Sequence, residues 1–306
     1  MEHLYDCIII GGGPAGLSAG LYAARSKMDT LLIERAKYGG QITTTDELDN
    51  YPGSIENCTG ASLSERMKKQ ASDFGVKFAK DEIVDLDIDG AIKVLKSKKE
   101  TYRARTIIIA TGANPRLSGF NNERKLRGRG ISYCATCDAD FFTDLDVAVV
   151  GGGDSAITEA IYLTKFASSV TVIHRRDALR ATKSLQERAF NNPKIKFIWN
   201  SIVVGAVGDE ILEGLILKNK ITGENRKLKV DGCFVFVGYE PISQLFKGKL
   251  TMDDRNYIIT DEDMKTNISG VFAAGDVREK SLRQVVTAAA DGAIAATTAE
   301  SYIEEK

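Results

Sequence analysis

The chain is poor in the residues that build metal centres and cross-linked scaffolds. Only two histidines occur in 306 residues, His3 and His174, and the five cysteines are an odd number. A structural zinc site wants four tetrahedral ligands, and one Cys-x-x-Cys with two distant histidines does not supply them, so no metal is expected. Five cysteines in a chain this long do not make a disulfide framework either. No apolar run approaches the roughly 18 residues a membrane span needs. A net charge of −1 gives no field that would gather nucleic acid or an anionic membrane surface. The N-terminus is acidic and runs straight into the first motif, without the pattern of a secretory leader. The expected location is the cytoplasm. Low-complexity segments are missing too, and a hydrophobic content of 43% with 27% charged residues is ordinary for a globular protein of about two domains.

What is present is a phosphate-cradling pattern written twice. The first copy is Gly11-Gly12-Gly13-Pro14-Ala15-Gly16, after the apolar run 7–10. The second is Gly151-Gly152-Gly153-Asp154-Ser155-Ala156, after the apolar run 147–150. A pyrophosphate needs backbone N–H groups at a helix N-terminus, where the helix dipole favours anions. Glycines permit the tight turn, the close approach and the packing of helix on strand. Each copy continues as a helix, the second with Ile157, Ala160, Ile161 and Thr164 on one face, and then as a second strand, 30–33 or 170–173. Both are βαβ units, so parallel sheets follow. Further strand-plus-glycine segments are Thr106 to Ala113, containing Ala110-Thr111-Gly112, and Gly232 to Tyr239. The segment Gly270 to Asp276 has no evident counterpart in the second copy. The expected architecture is α/β, with two Rossmann-like dinucleotide domains, the second inserted into the first. The segments are 1–114, then 115–244, then 245–306, with Asn114-Pro115 and Glu240-Pro241 as linkers and an Ala-rich helix over 282–302.

The residue that ends the second strand selects the ligand. Glu34 accepts hydrogen bonds from ribose hydroxyls and repels a 2′-phosphate, so the first copy reads as a site for FAD (or NAD). His174-Arg175-Arg176, with Arg180 close behind, offers guanidiniums that suit a phosphate dianion, so the second copy reads as a site for NADPH. Gly275-Asp276 is placed to meet a ribityl hydroxyl or the pyrophosphate, and Arg283 and Gln284 open the final helix. Cys134-Ala-Thr-Cys137 is the redox candidate, since cysteines at this spacing close a small disulfide and the motif stabilises one thiolate. Asp138, next in line, suits a proton donor to a leaving thiolate or reduced flavin. Cys7 and Cys233 lie in apolar runs and read as buried small hydrophobes. Cys58, in a polar stretch, carries no signal.

Together these segments, with Gly39-Gly40-Gln41-Ile-Thr-Thr44-Thr and Asn50-Tyr-Pro-Gly53, resemble the bacterial low-molecular-weight thioredoxin reductases over essentially the whole chain. The resemblance implies a homodimer whose subunits each hold FAD and NADPH. It implies thioredoxin as partner, and electron flow from NADPH to FAD to the Cys134–Cys137 disulfide to thioredoxin. It implies a rotation of the NADPH domain that alternately brings dithiol and nicotinamide to the flavin, about linkers near 114 and 244. By the same resemblance Cys134 attacks thioredoxin and Cys137 faces the flavin. FAD contacts are implied at Arg35, Gly40, Gln41, Thr44, Asn50, Val84, Ala110, Thr111 and Gly112, and partner docking at Arg129 and Phe141-Phe142. One position departs from the family, which has glycine where this chain has Ala139; a left-handed backbone there would strain an alanine.

Rival readings keep the fold and change the electron source or sink. A ferredoxin-fed flavin thioredoxin reductase lacks the basic motif that Arg175, Arg176 and Arg180 supply here. A flavin-dependent oxidase of small dithiols keeps the cysteine pair but does not depend on NADPH. A peroxiredoxin-reducing relative carries an extra N-terminal region, whereas this sequence starts at the first glycine motif. A non-catalytic flavin sensor needs only one of the two intact sites.

Overall fold

The computed structural model describes residues 3–44, 48, 50–56 and 58–305. The chain divides into two compact units, one made of Met1–Asn114 with Glu240–Lys306 and the other of Pro115–Tyr239. The two crossings between them, Ala113–Pro115 and Tyr239–Pro241, pair as a two-stranded ribbon. Residues 240–244, counted with the middle segment in the sequence, bond within the outer unit: Ile242 N–H donates to Gly112 O, and the buried Ser243 hydroxyl donates to Asn256 O.

In the outer unit, Leu4–Ile10 is the central strand, flanked in parallel by Thr30–Glu34 and Thr101–Ile109, with Lys77–Lys80 beyond. Ile8 to Ile10 and Ile107 to Ile109 are buried, as continuous apolar runs must be in a sheet covered on both faces. The far edge of Thr101–Ile109 divides. Its first residues pair antiparallel with Lys93–Ser97, and Ile107 to Ile109 pair in parallel with Val271–Ala273. Two helices lie over this sheet, Pro14–Arg25 and the Ala-rich Val285–Glu304. Their small residues let the backbones touch, since a Cβ at Gly292 would sit 2.1 Å from Ala15 O. That contact is why the final helix is built from alanine and glycine.

The inner unit repeats the plan with Asp146–Val150 at the centre. Ser169–Ile173 and Ile195–Ile198 lie on one side, Gly232–Val235 and Ile131–Ser132 on the other, all parallel. A three-stranded antiparallel meander, Ser201–Val207, Gly214–Asn219 and Asn225–Leu228, packs beside it through Leu215 and Leu217. The two-residue strand Ile131–Ser132 occupies the slot that Val271–Ala273 fills in the outer unit. The segment at 270–276 therefore does have a counterpart, too short to show periodicity. The helix Asp154–Leu163 buries Ala156, Ile157, Ala160 and Leu163; Ile161 is half-buried and Thr164 is the C-cap. The face turns because Ala156 must pack against the Gly151 turn.

Candidate active site

The first glycine turn is shaped by atoms that leave no room for side chains. A Cβ at Gly16 would lie 1.9 Å from Gly11 O, and one at Gly11, whose φ is +110°, would lie 2.4 Å from Ala110 O. Gly13 caps the following helix, with Pro14 in its first turn, and among the described residues beyond its chain neighbours only Gly39 O lies within 4 Å of the place its Cβ would take. Glu34 stands beside this turn. Its two carboxylate oxygens accept N–H bonds from Gly12 and Ala36, each at 2.7 Å, and each keeps a lone pair for a ribose hydroxyl. Gly39 N–H closes onto Gly12 O at 2.7 Å, bringing Gly40 against Gly13.

The remaining residues implicated in FAD binding gather in the same unit. Gln41 donates to Asn114 Oδ1 at 2.5 Å, Asn50 to Gln284 Oε1 at 3.2 Å, and the Thr111 hydroxyl to Ile242 O at 2.6 Å. Gly112 and Gly275 adopt left-handed φ of +73° and +76°, which only glycine takes without strain. Ala15 is buried against Gly275. Val84 lies beside a bulge in Ile83–Asp87 and is half exposed, while Arg35 is exposed, 3.8 Å from Glu82. The side chain of Thr44 lies outside the described residues, as does Thr45.

Asp276 Oδ1 and Arg283 Nε are buried and have no hydrogen-bond partner among the described residues. Buried polar atoms are ordinarily paired, so these two, in the same unit as the glycine turn, fit a polar ligand such as the flavin dinucleotide. Burial, opposed by Lys280 and Arg283, pushes the Asp276 carboxyl up to about 6. The loop carrying it is held by Asp291, which accepts from Gly275 N–H, Arg278 and Lys280. Asp291, Arg278 and Lys280 carry no local sequence pattern, because the anchor Asp291 lies on a distant helix.

The Asp276 shift has a consequence for flavin-free protein. The unfolded carboxyl titrates near 3.8 and the folded one near 6, so the folded chain binds the proton more tightly and loses stability as pH rises from about 4 to above 6. Two units correspond to about 3 kcal/mol. Apoprotein carrying Asp276→Asn is expected to match wild type in thermal melts at pH 4 and to melt higher at pH 8. Parallel melting curves across that range would refute the assignment.

The second turn is built alike. A Cβ at Gly151 would lie 2.6 Å from both Ala156 Cβ and Phe236 O, which explains how alanine replaces the third glycine. Gly153 caps the helix Asp154–Leu163, and Ser155 is exposed beside it. Arg180 N–H donates to Gly152 O at 2.7 Å, as Gly39 does to Gly12. Asp154 Oδ1 takes the N–H of Thr182 at 2.6 Å, fixing that loop to the turn. Arg175, Arg176 and Arg180 are exposed, and none is ion-paired among the described residues. His174 differs from them. It is buried under Gly152, whose Cβ would meet the ring at 2.3 Å, and desolvation with the three arginines depresses its pKa. It stays neutral at pH 7 and supports the turn from below.

Cys134 and Cys137 form a disulfide, Cα atoms 5.3 Å apart. Cys134 caps the short helix Ala135–Asp138. Both cysteines are half-buried, as a group that must meet other molecules requires. Ser132 Oγ accepts from Cys134 N–H at 3.1 Å and donates to Asp138 Oδ2 at 2.6 Å. Tyr133 is fixed by a bond from its hydroxyl to buried Glu123 and by the Tyr239 hydroxyl on its carbonyl. No sequence signal marked Ser132, Glu123 or Tyr239. Ala139 sits at φ −60°, in the right-handed region, so alanine for glycine there costs no strain. Phe141 is exposed, and so is Arg129. Phe142 instead packs edge-on against Phe234, 5.2 Å away, and fills the space over Gly232.

Cys7 and Cys233 are fully buried, and desolvation raises both thiols, Cys7 to about 12. Cys58 is buried too, with Arg66 Nη2 donating to its Sγ at 3.2 Å. Among the described residues no cluster of histidine, cysteine or carboxylate side chains has the form of a metal site, and no helix is long and apolar enough to cross a membrane.

Comparison with known proteins places this geometry among relatives. The model of the pyridine nucleotide-disulphide oxidoreductase family matches residues 5–292. A thioredoxin reductase of Peptoclostridium acidaminophilum is 59% identical over 99% of this chain and 98% of its own length. One of Peptoclostridium litorale is 56% identical over 100% and 99%. The crystal structure of thioredoxin reductase from Streptococcus pyogenes, 44% identical, superposes with a TM-score of 0.93 and full coverage of both chains.

Proposed function

The chain belongs to the pyridine nucleotide-disulphide oxidoreductases, and within them to the bacterial low-molecular-weight thioredoxin reductases; from that premise we propose that its Cys134–Cys137 pair passes electrons from NADPH, by way of FAD, to the disulfide of thioredoxin. It is an NADPH-dependent thioredoxin-disulfide reductase, and its cofactors are FAD and NADPH. The observation that carries the residue-level reading is the presence, in one unit, of the half-buried Cys134–Cys137 disulfide and a glycine turn fringed by three exposed arginines.

FAD is assigned to the outer unit, held by the Gly11–Gly16 turn, Glu34, Gln41, Thr111, Asp276, Arg283 and Gln284. When bound it supplies the two-electron relay between a hydride donor and a disulfide. NADPH is assigned to the inner unit. The N–H groups at the start of Asp154–Leu163 face its pyrophosphate, and Arg175, Arg176 and Arg180 its 2′-phosphate, with Glu34 in the other turn discriminating against that phosphate by charge. Cys134 attacks the thioredoxin disulfide, Cys137 resolves the mixed disulfide, and Asp138 carries a proton at Cys137. Arg129 and Phe141 are docking residues for the partner. A homodimer in the cytoplasm completes the reading, with neither nucleic acid nor membrane as partner, in keeping with the near-neutral charge.

The test is anaerobic mixing of FAD-loaded protein with NADPH, then with oxidised thioredoxin. Flavin absorbance is expected to bleach with NADPH and far more slowly with NADH, and to recover when thioredoxin is added. Absence of bleaching with NADPH would bring a ferredoxin-fed or dithiol-oxidising function forward.

A further inference from the structure

We propose that Ser132 is a positioning residue for proton transfer at the disulfide, holding the Asp138 carboxylate in place and in its charged form. This rests on the reading of Asp138 as the proton carrier. Ser132 belongs to the short strand Ile131–Ser132 and is pinned in register with Phe234. Its side chain is buried. The Cys134 N–H occupies one hydroxyl lone pair at 3.1 Å. The single hydroxyl proton has Asp138 Oδ2 as its nearer acceptor at 2.6 Å, against Cys134 O at 3.2 Å. One buried hydroxyl thus ties the backbone at the first cysteine to the carboxylate after the second.

A donor aimed at a carboxylate favours its ionised form. Among the elements packed against the cysteine turn are the helix Asp154–Leu163 and the turn Asp140–Phe142. Their titratable groups are Asp154, Glu159, Tyr162 and Asp140, all of which are neutral or negative. Glu159 is itself raised by desolvation. None of these four is a cation, and the hydrogen bond donated by Ser132 acts in the opposite sense to them.

The step it serves is thiol–disulfide exchange. The Cys134 thiolate attacks one sulfur of the oxidised thioredoxin, the thioredoxin S–S bond breaks, and a mixed disulfide forms with one thioredoxin thiolate released. Asp138 then takes the Cys137 proton, and the Cys137 thiolate attacks Cys134 Sγ. The mixed disulfide breaks, the Cys134–Cys137 bond re-forms, and the second thioredoxin thiolate leaves. Two electrons move to thioredoxin; the Cys137 proton reaches one of its thiolates by way of Asp138, and the other thiolate is protonated from solvent, which took up the Cys134 proton when that thiolate formed. The base must be ionised to act, so the hydrogen bond from Ser132 extends activity to lower pH.

The experiment compares pH profiles of thioredoxin turnover for FAD-loaded wild type, Ser132→Ala, Ser132→Thr and Asp138→Asn, with the anaerobic NADPH-to-flavin step measured separately. Ser132→Ala is expected to shift the acid limb upward by roughly one pH unit, the worth of one hydrogen bond to a charged group. Ser132→Thr should restore the wild-type limb, and Asp138→Asn should remove it. A Ser132→Ala profile that overlays wild type would overturn the proposal. So would a Ser132→Thr variant as impaired as Ser132→Ala, since that marks a packing role alone. Failure of the electron-transfer reading is separable, because it would show as missing flavin reduction in wild type.

Discussion

Replacing Cys134 with serine is expected to leave NADPH-driven bleaching of the flavin intact while thioredoxin turnover falls by roughly 10⁴-fold or more, the scale on which loss of a nucleophile acts. A serine hydroxyl forms no bond to sulfur that exchange can pass through. The other thiols offer no substitute, since Cys7, Cys58 and Cys233 are buried. Cys137→Ser should lose turnover as completely but in another way. There Cys134 still attacks and nothing resolves the product, so a covalent complex with thioredoxin accumulates and is seen on a non-reducing gel. Trapping by Cys134→Ser instead would exchange the roles of the two cysteines.

Removing the charges of Arg175, Arg176 and Arg180 together is expected to raise KM for NADPH by about 10³-fold and to leave KM for NADH unchanged. A hydrogen bond to a charged partner is worth about 1.5 kcal/mol or more, close to tenfold each. The three side chains are exposed and make no ion pair among the described residues, so the fold should be indifferent to the change. High salt should mimic the variant in part, because exposed charges are screened. An unchanged preference for NADPH would remove the arginine fringe from the binding site.

The parts of the site that were legible in the sequence are those where covalent geometry leaves one option. Gly11 and Gly16 have carbonyl oxygens where a Cβ would go, so the pattern survives any change in the surroundings. Glu34 follows because the strand it ends fixes its place relative to the turn. His174 could be read only as a neighbour of the arginines, because the sequence does not show that Gly152 presses its ring inward. Phe142 likewise looks like an exposed aromatic until Phe234 is seen beneath it. The worry over Ala139 was a question of one dihedral angle, which the short helix settles at −60°. Contacts made across long separations, such as Asp291 with Gly275 or Ser132 with the strand at Gly232–Val235, have no local pattern to betray them.

The contact between Gly292 and Ala15 sets an order of events during synthesis. The outer unit takes its strand Val271–Ala273 and its covering helix Val285–Glu304 from chain that follows the inner unit and so leaves the ribosome after it. The inner unit is finished at Tyr239. Domains fold as units while the chain emerges, so the half carrying Cys134 and Cys137 is complete while the half begun first still waits, its apolar strands uncovered. A chain cut short before residue 285 therefore leaves a sound inner unit attached to an outer one that chaperones or proteases must deal with.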